Sequence, residues 1–310
     1  MSIVSTDVPM TSGLCEQTIR RLTETYPALQ ERVITTTAYG RPVQVMTIGS
    51  GDRHVILSAA HHANEWITAT ILLKFAEELA HAAREGGKIW GVNTETILKY
   101  TTLHILPMID PDGVALVLEE IPPESPEYQQ ARRIGERFPD IPFPDGWKAN
   151  LLGVDLNLQY PAGWLQAREI KFSQGFTRPA PRDFVGRASL DQRESRALAE
   201  YTEYAEPALV LALHTQGEAI YWQFRDYDVP GARALAEEFA RISGYRMEET
   251  PYESGFAGYK DWFIQRWRRP GFTIECGKGE NPLPLSQFEE IYRDVLGILV
   301  TAATGLPEKA

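Results

Sequence analysis

The chain has 310 residues, a formal net charge of −11 and an apolar fraction of 43%. That length suits one large α/β domain or two small ones, and the apolar content is ample for a packed core. Acids and bases are interspersed without a basic patch, which argues against a nucleic-acid partner, and no apolar run approaches the roughly 20 residues of a membrane span.

No Gly/Ser-rich linker, low-complexity tract or internal repeat divides the chain. Proline is dense at 121–126, 138–144 and 179–182, and these stretches read as loops over one core. The expectation is a single domain over residues 1–310. Cys15 and Cys276 lie far apart and read as buried free thiols. Residues 1–7 show neither the basic nor the apolar part of a signal peptide, so the expected location is cytoplasmic.

In chain order, 14–26 has helical spacing, with Leu14, Ile19, Leu22 and Tyr26 on one side. Residues 32–37 and 42–48 read as strands around a Tyr39-Gly40-Arg41 turn, and 55–59 as a buried strand. A helix over 65–83 follows from Ile67, Ile71, Leu72, Phe75 and Leu79. Residues 101–107 form an apolar strand that leaves through turn chemistry at 108–113. Helices are predicted at 126–138, 192–204, 229–242 and 259–267, with a terminal one at 285–301. Core strands are predicted at 209–214 and 272–276. Strands alternating with long helices argue for an α/β fold.

The segment Ser58-Ala-Ala-His61-His62-Ala-Asn-Glu65-Trp66 closes the strand at 55–59. Open α/β sheets place their sites at the carboxyl ends of strands. A neutral imidazole and a carboxylate arriving there together, as His62-x-x-Glu65, suit a borderline-soft cation such as Zn²⁺. With six histidines and 42 acids in the chain, chance alone supplies roughly one such pair, so the spacing needs downstream support. Taken alone it reads equally as a helix start with an acid in its first turn. His61 has no acid at the third position and reads as structural, as do His54, His81 and His104.

Support comes from Gly153-Val-Asp155-Leu-Asn157-Leu158, from a strand ending on His214, and from Gly271-Phe-Thr-Ile-Glu275-Cys276. This ordered set resembles the zinc metallocarboxypeptidases of the carboxypeptidase A type. The phrases His61-His-Ala-Asn-Glu-Trp66, Trp147-Lys-Ala-Asn150, His214-Thr-Gln-Gly217 and Glu275-Cys-Gly-Lys-Gly-Glu-Asn-Pro282 are similar to a bacterial branch, the γ-D-glutamyl-meso-diaminopimelate peptidases. The resemblance implies a single mixed, twisted β-sheet flanked by helices and one Zn²⁺ per chain. It implies hydrolysis of the γ-D-glutamyl–diamino acid bond in peptidoglycan stem peptides or muropeptides. Two other readings stay open: a carboxypeptidase or amidohydrolase on another acidic peptide, and a non-catalytic zinc-dependent peptide-binding protein.

By the same resemblance His62, Glu65 and His214 are the metal ligands, Glu275 is the general base, and Asp155 holds a ligand histidine from behind. Lys148 stands where an arginine supports the oxyanion. Asn157 matches a substrate-carboxylate ligand. Leu158 replaces the arginine that clamps a C-terminal carboxylate, and leucine cannot form that bidentate pair. Tyr252, with Tyr259 as the other candidate, matches the family's mobile tyrosine. Lys260 stands in the leaving-side pocket, where a positive charge suits the extra carboxylate of meso-diaminopimelate. Arg266, Arg268 and Arg269 read equally as added charge nearby or as a solvated edge.

Overall fold

A computed structural model describes residues 2–305. Of the domain expected over 1–310, residues 1 and 306–310 lie outside the described residues. In chain order the strands are β1 Gln30–Thr36, β2 Pro42–Ile48, β3 Arg53–Ala59, β4 Lys88–Ile89, β5 Val92–Asn93, β6 Thr101–Leu106, β7 Leu209–His214, β8 Ala219–Tyr221, β9 Arg246–Glu248 and β10 Gly271–Glu275. The helices are α1 Ser12–Thr25, α2 Ile67–Arg84, α3 Thr94–Tyr100, α4 Pro111–Val117, α5 Pro126–Gly135, α6 Trp164–Ser173, α7 Arg193–Ala205, α8 Ala232–Ser243, α9 Tyr259–Trp267 and α10 Phe288–Thr304. None of them is long and apolar enough to cross a membrane.

Eight strands form one mixed sheet in the order β1-β2-β6-β3-β7-β10-β8-β9; β4 and β5 make a separate hairpin. Its centre is parallel: β6 with β3, β3 with β7, and β7 with β10. The flanks β1-β2, β2-β6 and β10-β8 are antiparallel. This is the mixed sheet flanked by helices that the motifs implied.

The centre is covered on both faces, so its strands read as apolar runs rather than as alternations. Alternate residues serve different cores. Val55 and Leu57 of β3, with Leu209, Leu211 and Leu213 of β7, pack toward α2, α8 and α10. Ile56 of β3, with Val210 and Ala212 of β7, packs toward α7 and α9. A one-residue slip would exchange these sets. Parallel strands also send their carboxyl ends to one edge, so β3, β7 and β10 deliver His62, His214 and Glu275 to the same place.

Several elements start a few residues from the sequence expectation, and two of these bear on the site. Residues 108–113 read as a turn, yet Asp110 caps α4, its carboxylate accepting from Gly113 N–H at 2.9 Å, with Pro111 at the first helical position. The helix expected from residue 65 begins instead with a 3₁₀ turn, Ala63–Glu65, and α2 proper starts at Ile67. Helices α3 and α6 and strands β4, β5, β8 and β9 had no sequence expectation. β8 and β9 have three residues each, too few for a period of two to register. Both cysteines are buried and free, as expected.

Candidate metal centre and active-site cavity

After β3 the chain turns at Ala60, which holds a positive φ of 46°. Ala60 N–H donates to Thr68 Oγ1 at 3.0 Å, and that hydroxyl donates to Glu65 O at 2.6 Å. Ala63 N–H donates to Lys148 O at 3.0 Å. These bonds fix the 3₁₀ turn and aim His62 and Glu65 inward.

The Glu65 carboxylate is the hub. Its Oε1 lies 2.9 Å from His62 Nδ1 and 3.0 Å from Lys148 Nζ. Its Oε2 lies 2.9 Å from His214 Nδ1 and accepts Thr215 N–H at 3.2 Å. Burial pushes this carboxyl up, but His62, Lys148 and His214 outweigh it and hold Glu65 well below the usual carboxylate range. His62 Nε2 lies 3.2 Å from Asp155 Oδ1. Burial favours the neutral Asp155, yet the facing His62, together with Lys148, keeps it ionised and below its ordinary value. A carboxylate at Nε2 fixes the ring's orientation and leaves Nδ1 facing Glu65.

His62, Glu65 and His214 are the one group of side chains found among the described residues that could hold a metal ion; their ligand atoms lie within 4.8 Å of one another. Glu275 pairs with His214 across β10 and β7. Burial raises its carboxyl, and Glu65 adds to that, against pulls from His214, Lys148 and His62. A carboxyl raised above its ordinary value is better suited to take up a proton and give it back. His61 is fully buried, as a structural histidine should be. Its ring stacks on His214 and Tyr259 at 5.5 and 5.7 Å, and neither ring nitrogen has a hydrogen-bond partner. His54 and His104 lie elsewhere, hydrogen-bonded to each other at 2.8 Å.

Two cavities, of about 230 and 810 Å³, meet at this cluster. His62, Lys148, Arg182, Tyr221 and Glu275 line both. Asp155, Asn157, Leu158, His214 and Lys260 line the smaller one. Asn157 Oδ1 accepts Tyr259 N–H at 3.1 Å. Leu158 is an apolar wall beside it. Lys260 is buried, paired with Asp261 and donating to Gln223 O at 2.7 Å. The larger cavity is also lined by Asp140, Asp145 and Glu280.

The tyrosine alternatives separate clearly. Tyr259 is in the core, its hydroxyl 2.8 Å from Thr202 Oγ1. Tyr252 is 60% exposed and accepts from Gln166 Nε2 at 2.8 Å. It stands outside the cavity, although its neighbours Pro251 and Ser254 line it. Arg266, Arg268 and Arg269 line neither cavity; Arg268 and Arg269 donate to backbone carbonyls. Sequence reasoning missed Lys171, Arg182, Asp183 and Tyr221, which do line the cavities. The only hint was the proline-rich stretch at 179–182, which marks a loop but not its destination.

A profile of the zinc carboxypeptidase family matches residues 15–296. This chain is a member of the zinc carboxypeptidase family. The gamma-D-glutamyl-L-diamino acid endopeptidase 1 of Lysinibacillus sphaericus is 42% identical over 282 residues, which span 91% of this chain and 69% of that protein. The crystal structure of thrombin activatable fibrinolysis inhibitor superposes with a TM-score of 0.77 at 16% identity, covering 98% of this chain and 76% of that one. The murein-tripeptide amidase MpaA from Escherichia coli O157 superposes at 0.55 and 16% identity, covering 90% and 93%. At such identities the solved structures establish the fold alone. Membership makes the chain a zinc-peptidase hydrolase. The site's own chemistry fits the ion: two imidazole nitrogens and one carboxylate held as an anion are the usual catalytic zinc set.

Proposed function

We propose that this zinc carboxypeptidase family member hydrolyses the γ-D-glutamyl–diamino acid bond of peptidoglycan stem peptides or muropeptides, with one Zn²⁺ per chain. The observation that carries the reading is the 42% identity to the L. sphaericus endopeptidase across 91% of the chain. Leu158 supports it. A carboxypeptidase for ordinary chain termini needs a cationic fork there, and leucine offers none.

His62, Glu65 and His214 would hold the zinc, and the bound ion would supply Lewis-acid polarisation of the scissile carbonyl and a lowered pKa for water. Glu275 takes that proton and later passes it to the departing amine, so one carboxylate serves as base and then as acid. The products are a free carboxylate and a free amine. Lys148 carries positive charge beside the developing oxyanion; burial would depress its ammonium, but Glu65 and Glu275 hold it protonated. Asp155 keeps the His62 ring in register. In the smaller cavity Asn157 presents an amide donor, and Lys260 with Asp261 presents one cation and one anion. That pair suits the far amino-acid centre of a diamino acid, which carries both charges.

The test is incubation with L-Ala-γ-D-Glu-meso-diaminopimelate and its α-linked isomer, followed by mass analysis. Release of L-Ala-D-Glu and the diamino acid from the γ-linked peptide alone is expected. Rapid trimming of ordinary C-termini, with the γ-bond untouched, would return the chain to the carboxypeptidase reading.

A further inference from the structure

We infer that Arg182 is the receptor for the free α-carboxylate of the γ-linked glutamyl residue. This rests on the γ-glutamyl reading above and deepens it. In a γ-linked residue the α-carboxylate takes no part in the peptide bond. It remains an anion a short methylene arm from the scissile carbonyl, on the acyl side. An ordinary α-peptide has a neutral amide in that region, so a cation beside the reacting atoms on that side can tell the two linkages apart.

Four basic side chains line the cavities, and three are committed. Lys148 is 3.0 Å from Glu65. Lys171, buried on α6, is 2.6 Å from Asp183 Oδ1. Lys260 is paired with its neighbour Asp261. Arg182 is placed differently. Its Nε donates to Asp183 Oδ2 at 2.8 Å, while neither terminal nitrogen has an acceptor among the described residues. One anion, Asp183, thus serves two cations and leaves a net positive charge. The Arg182 side chain is 42% exposed and lines both cavities, at the junction marked by His62 and Glu275. A guanidinium with its Nε anchored and its terminal nitrogens free suits a carboxylate.

The backbone holds the arginine there. Pro181 O accepts from Lys148 N–H at 2.8 Å and Ala149 N–H at 2.9 Å. Ala180 N–H donates to Gly153 O at 3.0 Å, and Phe184 O accepts Asp155 N–H at 2.9 Å. Asp183 N–H donates to Asp155 Oδ2 at 3.2 Å. Asp183 has φ +65°, a left-handed conformation uncommon outside glycine and asparagine-like residues. The loop is therefore tied on both sides of Arg182 to the segment that carries Lys148 and Asp155.

The test compares two peptides, L-Ala-γ-D-Glu-meso-diaminopimelate and the same peptide with the glutamyl α-carboxylate converted to a carboxamide. Unaltered enzyme should prefer the carboxylate by about 10–100-fold in kcat/KM, the span expected of a hydrogen bond to a charged group. Arg182→Gln should lose that preference, falling on the carboxylate peptide far more than on the carboxamide and mainly through KM. Arg182→Lys should retain part of it. Equal losses on both peptides, or a preference that survives in Arg182→Gln, overturn the assignment. Unaltered enzyme that cleaves neither peptide overturns the γ-glutamyl reading, and this one with it.

Discussion

His62, Glu65 and His214 stand at the ends of β3 and β7 and in the turn between β3 and α2, whereas Arg182, Lys171 and Lys260 reach the same cavities from a loop and two helices. The first group is placed by backbone ladders: His214 and Glu275 are register partners, and β3 pairs with β7 through Ala59 and Leu213. The second group is placed by side chains meeting across loops. The difference separates duties. On the proposed reading, strand ends hold the atoms that must not move during the reaction, and loops and helix flanks hold the charges that choose the substrate. Perturbations of the strand-end group, the substrate wall and, last, the residue that joins them follow in order of decreasing size.

Removing a ligand is the harshest. His62→Ala or His214→Ala takes away one of the three proposed protein ligands. Zinc content by elemental analysis should fall from near one per chain to near zero, with turnover lost. Glu275→Gln keeps the ligands and removes the proton shuttle. It should bind zinc normally, unfold at a similar temperature and lose about 10²–10⁴-fold in turnover. Comparable activity in that variant would show that another acid moves the proton.

The same contrast explains what the sequence made legible. The proposed ligands and base were readable because His62 and Glu65 are three residues apart and His214 and Glu275 each end an apolar run. Short separation and strand ends leave marks in a linear pattern. Lys171, Asp183 and Arg182 left none. Lys171 lies on α6, whose apolar residues Trp164, Leu165, Ala167, Ile170 and Phe172 fall on no single face, and its partner Asp183 lies in a separate loop. Lys260 was foreseen as a pocket cation, but its pairing with Asp261 was not, since adjacent residues on a helix do not ordinarily face each other. The α/β class followed from alternating strands and helices. The mixed sheet came only with the family resemblance and the strand order only with the structure, because no local period encodes which strand lies beside which.

On the substrate wall, Lys260 and Asp261 form a buried pair, so removing one member strands the other. Lys260→Met should destabilise the fold by about 3–5 kcal/mol, while replacing both residues with apolar ones of similar volume should recover most of that loss. Chemical denaturation measures both. The double variant should still weaken diaminopimelate substrates more than lysine-type ones, mainly in KM. Equal losses on the two substrate types would remove Lys260 from recognition and leave it a structural role only.

Asp155 is where the two regions meet, and it gives the sharpest test for the smallest change. One oxygen faces His62 Nε2 at 3.2 Å and accepts Asn157 N–H at 3.1 Å; the other accepts Asp183 N–H at 3.2 Å. Both oxygens are needed as acceptors. Asparagine has one acceptor and one donor, so Asp155→Asn must set an amide N–H₂ against either the imidazole side or the Asp183 N–H. In the first case His62 loses its brace, and in the second the loop carrying Arg182 loses its anchor. Losing a carboxylate behind a ligand histidine usually weakens metal binding by about 10–100-fold, which competition with a chelator would measure. A raised KM for the carboxylate peptide with normal zinc affinity would show that the amide had turned its donor toward Asp183. Weakened zinc with an unchanged KM would show the opposite orientation. A variant unchanged in both would mean that strand ends and loop are positioned independently, and that Asp155 couples nothing.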